Sequence, residues 1–87
     1  MDSFAESQFN LAVCYGNGDG VEKDMNKAIQ LYTLSANQGN ADAQFNLAVC
    51  YYNGDGVEKD MNKAIELYTL SANQGNSKAQ NNLAVFL

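Results

Sequence analysis

The sequence repeats itself at an interval of 36 residues. Phe9 falls on Phe45, Tyr15 on Tyr51, Asp24 on Asp60 and Gly39 on Gly75. Residues 5–40 and 41–76 differ at only four positions, Glu6/Asp42, Ser7/Ala43, Gly16/Tyr52 and Gln30/Glu66. A fixed period of this length is the mark of a solenoid, whose units bury their apolar faces against one another. Ala79, Gln80, Asn82, Leu83, Ala84 and Val85 continue the register, and the sequence stops where the first helix of a third unit would end. The expected organisation is therefore a single repeat domain over 1–87, with repeat 1 at 5–40, repeat 2 at 41–76 and an incomplete repeat 3 at 77–87. Near-identity of this kind preserves surface and core alike, and it argues against a single active site.

Within a unit, Ala43, Leu47, Ala48 and Tyr51 recur at helical spacing, as do Ala64, Ile65, Tyr68 and Ala72. Each unit thus reads as a helix pair. The expected fold is all-α, an α/α superhelix of helix-turn-helix repeats. First helices are expected near 4–15, 41–51 and 77–87, and second helices near 25–37 and 61–73. Ser3 and Glu6 have the spacing of a capping box. Asn40 and Asn76 stand in the N-cap place of the later first helices, and Asp24 and Asp60 in that of the second helices. Gly39 and Gly75 suit the left-handed residue after a helix. Between paired helices, Asn17-Gly18-Asp19-Gly20 and Asn53-Gly54-Asp55-Gly56 supply turn glycines, and Val21 and Val57 are expected to plug the turn. A hairpin would need alternating flanks, whereas these have a period of 3.6.

Those residues resemble the Sel-one-like repeat (SLR) family, relatives of the tetratricopeptide repeat. Its pattern is roughly A-x-x-x-L-G-x-x-Y, then G-x-G-V, D-x-x-K-A, W-Y and A-A-x-x-G. Ala43, Leu47, Tyr51, Gly54, Gly56, Val57, Asp60, Lys63, Ala64, Tyr68, Ala72 and Gly75 match it, and so do their counterparts 36 residues earlier. Three places depart: Ala12 and Ala48 replace a Gly, Leu31 and Leu67 a Trp, and Ser35 and Ser71 an Ala. The resemblance implies adaptor or scaffold work on a concave helical surface that receives a protein or peptide. It implies no reaction and no cofactor.

Composition narrows the partners. The net charge is −5, with no His and five Lys as the cationic residues, so phosphate backbones would be repelled and nucleic acid is not expected. No apolar run is long enough for a membrane helix, so no membrane partner is expected. The opening residues lack the features of a secretory signal, and the expected compartment is intracellular and cytoplasmic. Cys14 and Cys50 lack metal-ligand clustering and are read as free thiols. An EF-hand loop starting at Asn17 would need Gly at its sixth position, where Glu22 stands. Gly16-x-Gly18-x-Gly20 has neither the preceding strand nor the following Lys of a phosphate loop. Without His, neither the cysteines nor the serines have the usual base, so no catalytic, metal or cofactor residue is expected.

If Leu47, Ala48 and Tyr51 face their own second helix, then Asp42, Phe45, Val49, Tyr52 and Asn53 lie roughly opposite, with Glu6, Phe9, Val13, Gly16 and Asn17 as counterparts. Phe9, Val13, Phe45, Val49 and Tyr52 are the expected partner-binding residues. Asn81 replaces their aromatic in the third unit, which suggests that the position is partly exposed; packing between first helices is the competing reading. The alternative expectation is a structural building block that associates with itself through exposed repeat ends, to which the apolar Leu83-Ala84-Val85-Phe86-Leu87 end points, or a piece of a longer repeat array.

Overall fold

In the computed structural model, which describes residues 3–86, five helices follow one another: α1 Ser3–Asn17, α2 Met25–Asn37, α3 Ala41–Asn53, α4 Met61–Asn73 and α5 Ser77–Ala84. No strand occurs among the described residues. α1 packs on α2 and α3 on α4, while α2 also packs on α3 and α4 on α5. Each unit is thus a helical hairpin stacked on the next. The thinnest dimension, 17 Å, fits two layers of helices about 10 Å across.

Local chemistry sets the boundaries. Asp24 and Asp60 accept the backbone N–H of Lys27 and Lys63 at 3.1 Å. Asn40 accepts from Ala43 at 2.8 Å, and Asn76 from Ala79 at 2.9 Å. Each cap satisfies a donor that the first turn leaves without an intrahelical partner. First helices α1 and α3 run two residues past the expected ends, to Asn17 and Asn53, because the left-handed residue that stops α3 is Gly54, at φ +71°. The capping box at Ser3 rests on a side chain outside the described residues.

Small residues let the helices approach. Ala5, Ala12, Ala28, Ala43, Ala48, Ala64 and Ala79 are fully buried, with Leu47, Tyr32 and Tyr68 supplying the bulk of the core. Ser35 and Ser71, which stand where the family pattern has Ala, are buried and donate to the carbonyls of Ala5 and Ala41 at 2.6 and 2.7 Å. Each hydroxyl thereby ties a second helix to the start of its own first helix.

Two expectations require correction. Val21 is 38% exposed and plugs nothing, whereas Val57 is half-buried. The difference follows from the stack: the loop of repeat 2 lies against α2, while among the described residues no helix of another unit lies against the loop of repeat 1. α5 ends at Ala84 instead of running to the C-terminus, and Val85 and Phe86 close it in a tighter turn, their N–H groups donating to the Asn82 and Leu83 carbonyls at 3.2 and 3.0 Å. There the Phe86 ring lies 5.9 Å from Tyr52 and 6.1 Å from Tyr68. Leu87 lies outside the described residues.

Candidate functional site

The inner face of the first helices carries three hollows in sequence. One, of about 470 Å³, is lined by Phe9, Asp42, Phe45, Asn46, Asn76, Ser77 and Lys78. A second, of about 290 Å³, lies among Gly16, Asn17, Tyr32, Phe45, Asn46, Val49 and Cys50. A third, of about 300 Å³, is bounded by Val49, Tyr52, Asn53, Tyr68, Asn82, Val85 and Phe86. The second and third are the same feature one repeat apart: Gly16, Asn17, Tyr32, Asn46 and Val49 become Tyr52, Asn53, Tyr68, Asn82 and Val85. Phe45 and Val49 are shared between neighbouring hollows, so the three form a continuous groove.

The floor is built by a hydrogen bond that crosses between units. Asn46 Nδ2 donates to the Tyr32 hydroxyl at 3.2 Å, and Asn82 Nδ2 to the Tyr68 hydroxyl at 3.3 Å. Each second-helix tyrosine thus reaches the next unit's first helix. Burial raises the Tyr32 phenol above 10.0; the Asn46 bond opposes that rise, and Cys50 adds slightly to it. Burial, with Asp55 nearby, pushes the Cys50 thiol up to about 11, so it carries almost no thiolate at neutral pH. Cys14 and Cys50 are both free.

Of the five residues singled out in the sequence, Phe9, Phe45, Val49 and Tyr52 line hollows, while Val13 packs on the core and lines none. Their placement opposite the second helices needs amendment. Phe9 lies 6.1 Å from Tyr32 and Phe45 5.9 Å from Tyr68, each on its own unit's second helix. Both rings sit half-buried at the margin of the stripe that their first helix turns toward its own second helix. Tyr52 is the most open of the five, at 39% exposure. Sequence reasoning treated Tyr32 and Tyr68 only as core and passed over Asn46 and Asn82. The retention of Asn10, Asn46 and Asn82 in all three units, beside the change from Phe45 to Asn81, was the signal that pointed to them.

Among the described residues no three His, Cys, Asp or Glu side chains come together as metal ligands. Lys27 and Lys63 stand over the rings of Tyr15 and Tyr51, at 5.9 and 6.0 Å. No helix among the described residues is long and apolar enough to cross a membrane.

The fold has counterparts in known structures. A Sel1 repeat protein from Oxalobacter formigenes superposes with a TM-score of 0.90 at 38% identity, over 92% of this chain and 33% of its own. A protective antigen of uropathogenic Escherichia coli strains, displaying an SLR fold, superposes at 0.87 and 33% identity, over 90% of this chain and 17% of its own. Helicobacter pylori cysteine rich protein B gives 0.84 at 27% identity, over 88% of this chain and 58% of its own. The chain thus spans less than two thirds of each of these relatives. No curated protein matches its sequence. The sequence profile of the Sel1 repeat matches residues 5–40 and again 41–76, and Sel1 repeats are in general protein-interaction modules. On 72 of its 87 residues (two matches of 36), the chain belongs to the Sel1 repeat family.

Proposed function

We propose that the groove binds a protein segment, with Phe9, Phe45, Val49 and Tyr52 as its apolar contacts and Asp42 and Asn46 as polar ones. The observation that carries this reading is the continuity of the three hollows, with half-buried aromatic rings along them. Rings already held by Tyr32 and Tyr68 lose little freedom when a ligand covers them, which favours affinity. Val13, wedged against the core, supports the wall. Asp42 and Lys78 border the same hollow and offer a ligand both signs of charge.

Tyr52 tests the proposal best, because its exposure lets it be truncated with the fold retained. Peptides selected by display on the unaltered chain should lose at least about tenfold in affinity for Tyr52→Ala, the scale of an interfacial hot spot. Their footprint in amide chemical-shift mapping should fall on Phe9, Phe45, Asn46 and Val49. A footprint on the outer faces of α2 and α4, with Tyr52→Ala binding unchanged, refutes the groove.

A further inference from the structure

We propose that the hollow at the junction of the two units receives a lysine or arginine side chain from the segment in the groove, a proposal that rests on the groove reading and adds the ligand's chemistry to it.

This hollow lies at the C-terminal ends of two first helices. Gly16 and Asn17 of α1 form one rim, and Cys50 with Asp55, on the loop after α3, forms the other. The last carbonyls of a helix carry roughly half a negative charge, which a basic residue in the last turn commonly offsets. Neither α1 nor α3 has one. The Asp55 carboxylate adds charge of the same sign, and none of the residues lining the hollow is basic. Lys59, on the same loop, is exposed and stands outside the lining. A net charge of −5 on the chain draws a basic ligand in from a distance.

The walls suit the rest of such a side chain. Tyr32, Phe45 and Val49 line the hollow, and Asn46 Nδ2 holds the Tyr32 hydroxyl in place at 3.2 Å. A lysine or arginine lays its methylenes along apolar surface while its head reaches polar groups, and aromatic faces attract the cation itself.

Position 16 sets the room available. The equivalent hollow one repeat on has Tyr52 at this place, with its ring 5.9 Å from Phe86, whereas here Gly16 presents only backbone. The exchange is one of only four between the two units. Every wall belongs to residues 16–55, so units stacked before α1 or after α4 would lengthen the groove and leave the walls in place. The equivalent hollow has a whole unit stacked before it and still measures about 300 Å³.

Peptides selected from a random display library on the unaltered chain, and mapped to the groove by amide chemical shifts, should carry lysine or arginine at one fixed position. Replacing that residue with glutamine should lower affinity at least about tenfold, and so should Asp55→Asn. The two changes together should cost little more than either alone, because they remove the same contact. Gly16→Tyr, which gives α1 the residue that α3 already accommodates, should also lose at least about tenfold. If circular dichroism shows that Gly16→Tyr fails to fold, Asp55→Asn decides alone. It is isosteric and keeps the bond from the residue 55 N–H to the Cys50 carbonyl, 2.9 Å in the unaltered chain. Peptides that need Tyr52 yet share no basic position, or that bind Asp55→Asn as tightly as the unaltered chain, overturn the proposal and leave the groove reading standing. Fully additive losses place the base elsewhere in the groove and overturn it too. A footprint on the outer faces of α2 and α4 overturns the groove reading and this proposal with it.

Discussion

Gly20 and Gly56 stand at the same place in identical loops, and both have φ +79°, a region costly for any side chain. Only their neighbours differ. An added Cβ at Gly56 would meet Ile29 Cγ1 at 2.9 Å, Met25 Cβ at 3.2 Å and the Met25 carbonyl at 3.4 Å, whereas at Gly20 it meets nothing. Backbone strain cancels between the two sites, so Gly56→Ala should destabilise by about 1–3 kcal/mol more than Gly20→Ala, the cost of overpacking. Urea denaturation of the two variants measures that difference; equal losses would mean that the loop of repeat 2 does not lie against α2. Cys50 gives a second residue-scale expectation. Its thiol rises from 9.0 to about 11 on folding, so between these values the folded chain holds a proton that the unfolded chain has released. Stability should therefore fall as pH climbs from about 9 to about 11, and Cys50→Ala should flatten the fall. Tyr32, raised above 10.0 by burial, adds to the fall only in the upper part of that window, so the comparison is cleanest from about pH 9 to 10.

Helix α1 differs from α3 in one interior position with consequences for the element itself, Gly16 against Tyr52. Glycine inside a helix costs about 0.5–1 kcal/mol relative to Ala through lost backbone entropy. A Cβ there would meet Ala28 Cβ, Met25 Sδ and the Tyr32 hydroxyl at 3.8–3.9 Å, all ordinary contacts. Gly16→Ala should thus stabilise the chain by about 0.5–1 kcal/mol, read as a higher midpoint in thermal or urea unfolding. A loss of stability would show that the hollow beside Gly16 is tighter than these distances. Elements were the most legible level of the sequence, since helix periods and the Asp24, Asn40, Asp60 and Asn76 caps act within four residues of themselves. What escaped depends on another unit. The exposure of Val21 reflects the lack of a helix against its loop among the described residues, and the rings that Phe86 meets, Tyr52 and Tyr68, belong to another unit. The groove was legible in its aromatic stripe, but the Tyr–Asn bonds of its floor join residues 14 apart across a unit boundary.

Across the whole molecule, two nearly identical units are made unequal chiefly by position, and this separates stacking from everything local. Leu11 and Leu47 stand at equivalent places of α1 and α3, with the same three preceding and four following neighbours within residues 8–15 and 44–51, and the same paired helix type. Helix propensity and the unfolded chain therefore respond almost identically to truncation of either. Leu47 is buried between α3 and α2, at 4% exposure, while Leu11 is 45% exposed at the open end. Leu47→Ala should cost about 2–5 kcal/mol, the range for a buried leucine whose cavity cannot fully collapse. Leu11→Ala should cost within about 0.5 kcal/mol, as for a surface change. A domain of this size has few kcal/mol to lose, so Leu47→Ala should be largely unfolded near body temperature while Leu11→Ala melts close to the unaltered chain. Circular dichroism melts at low micromolar concentration, below any association of copies, provide the comparison. Equal costs would mean that the units do not stack in solution as α2 stacks on α3, and the groove that runs across their junction would lose its floor.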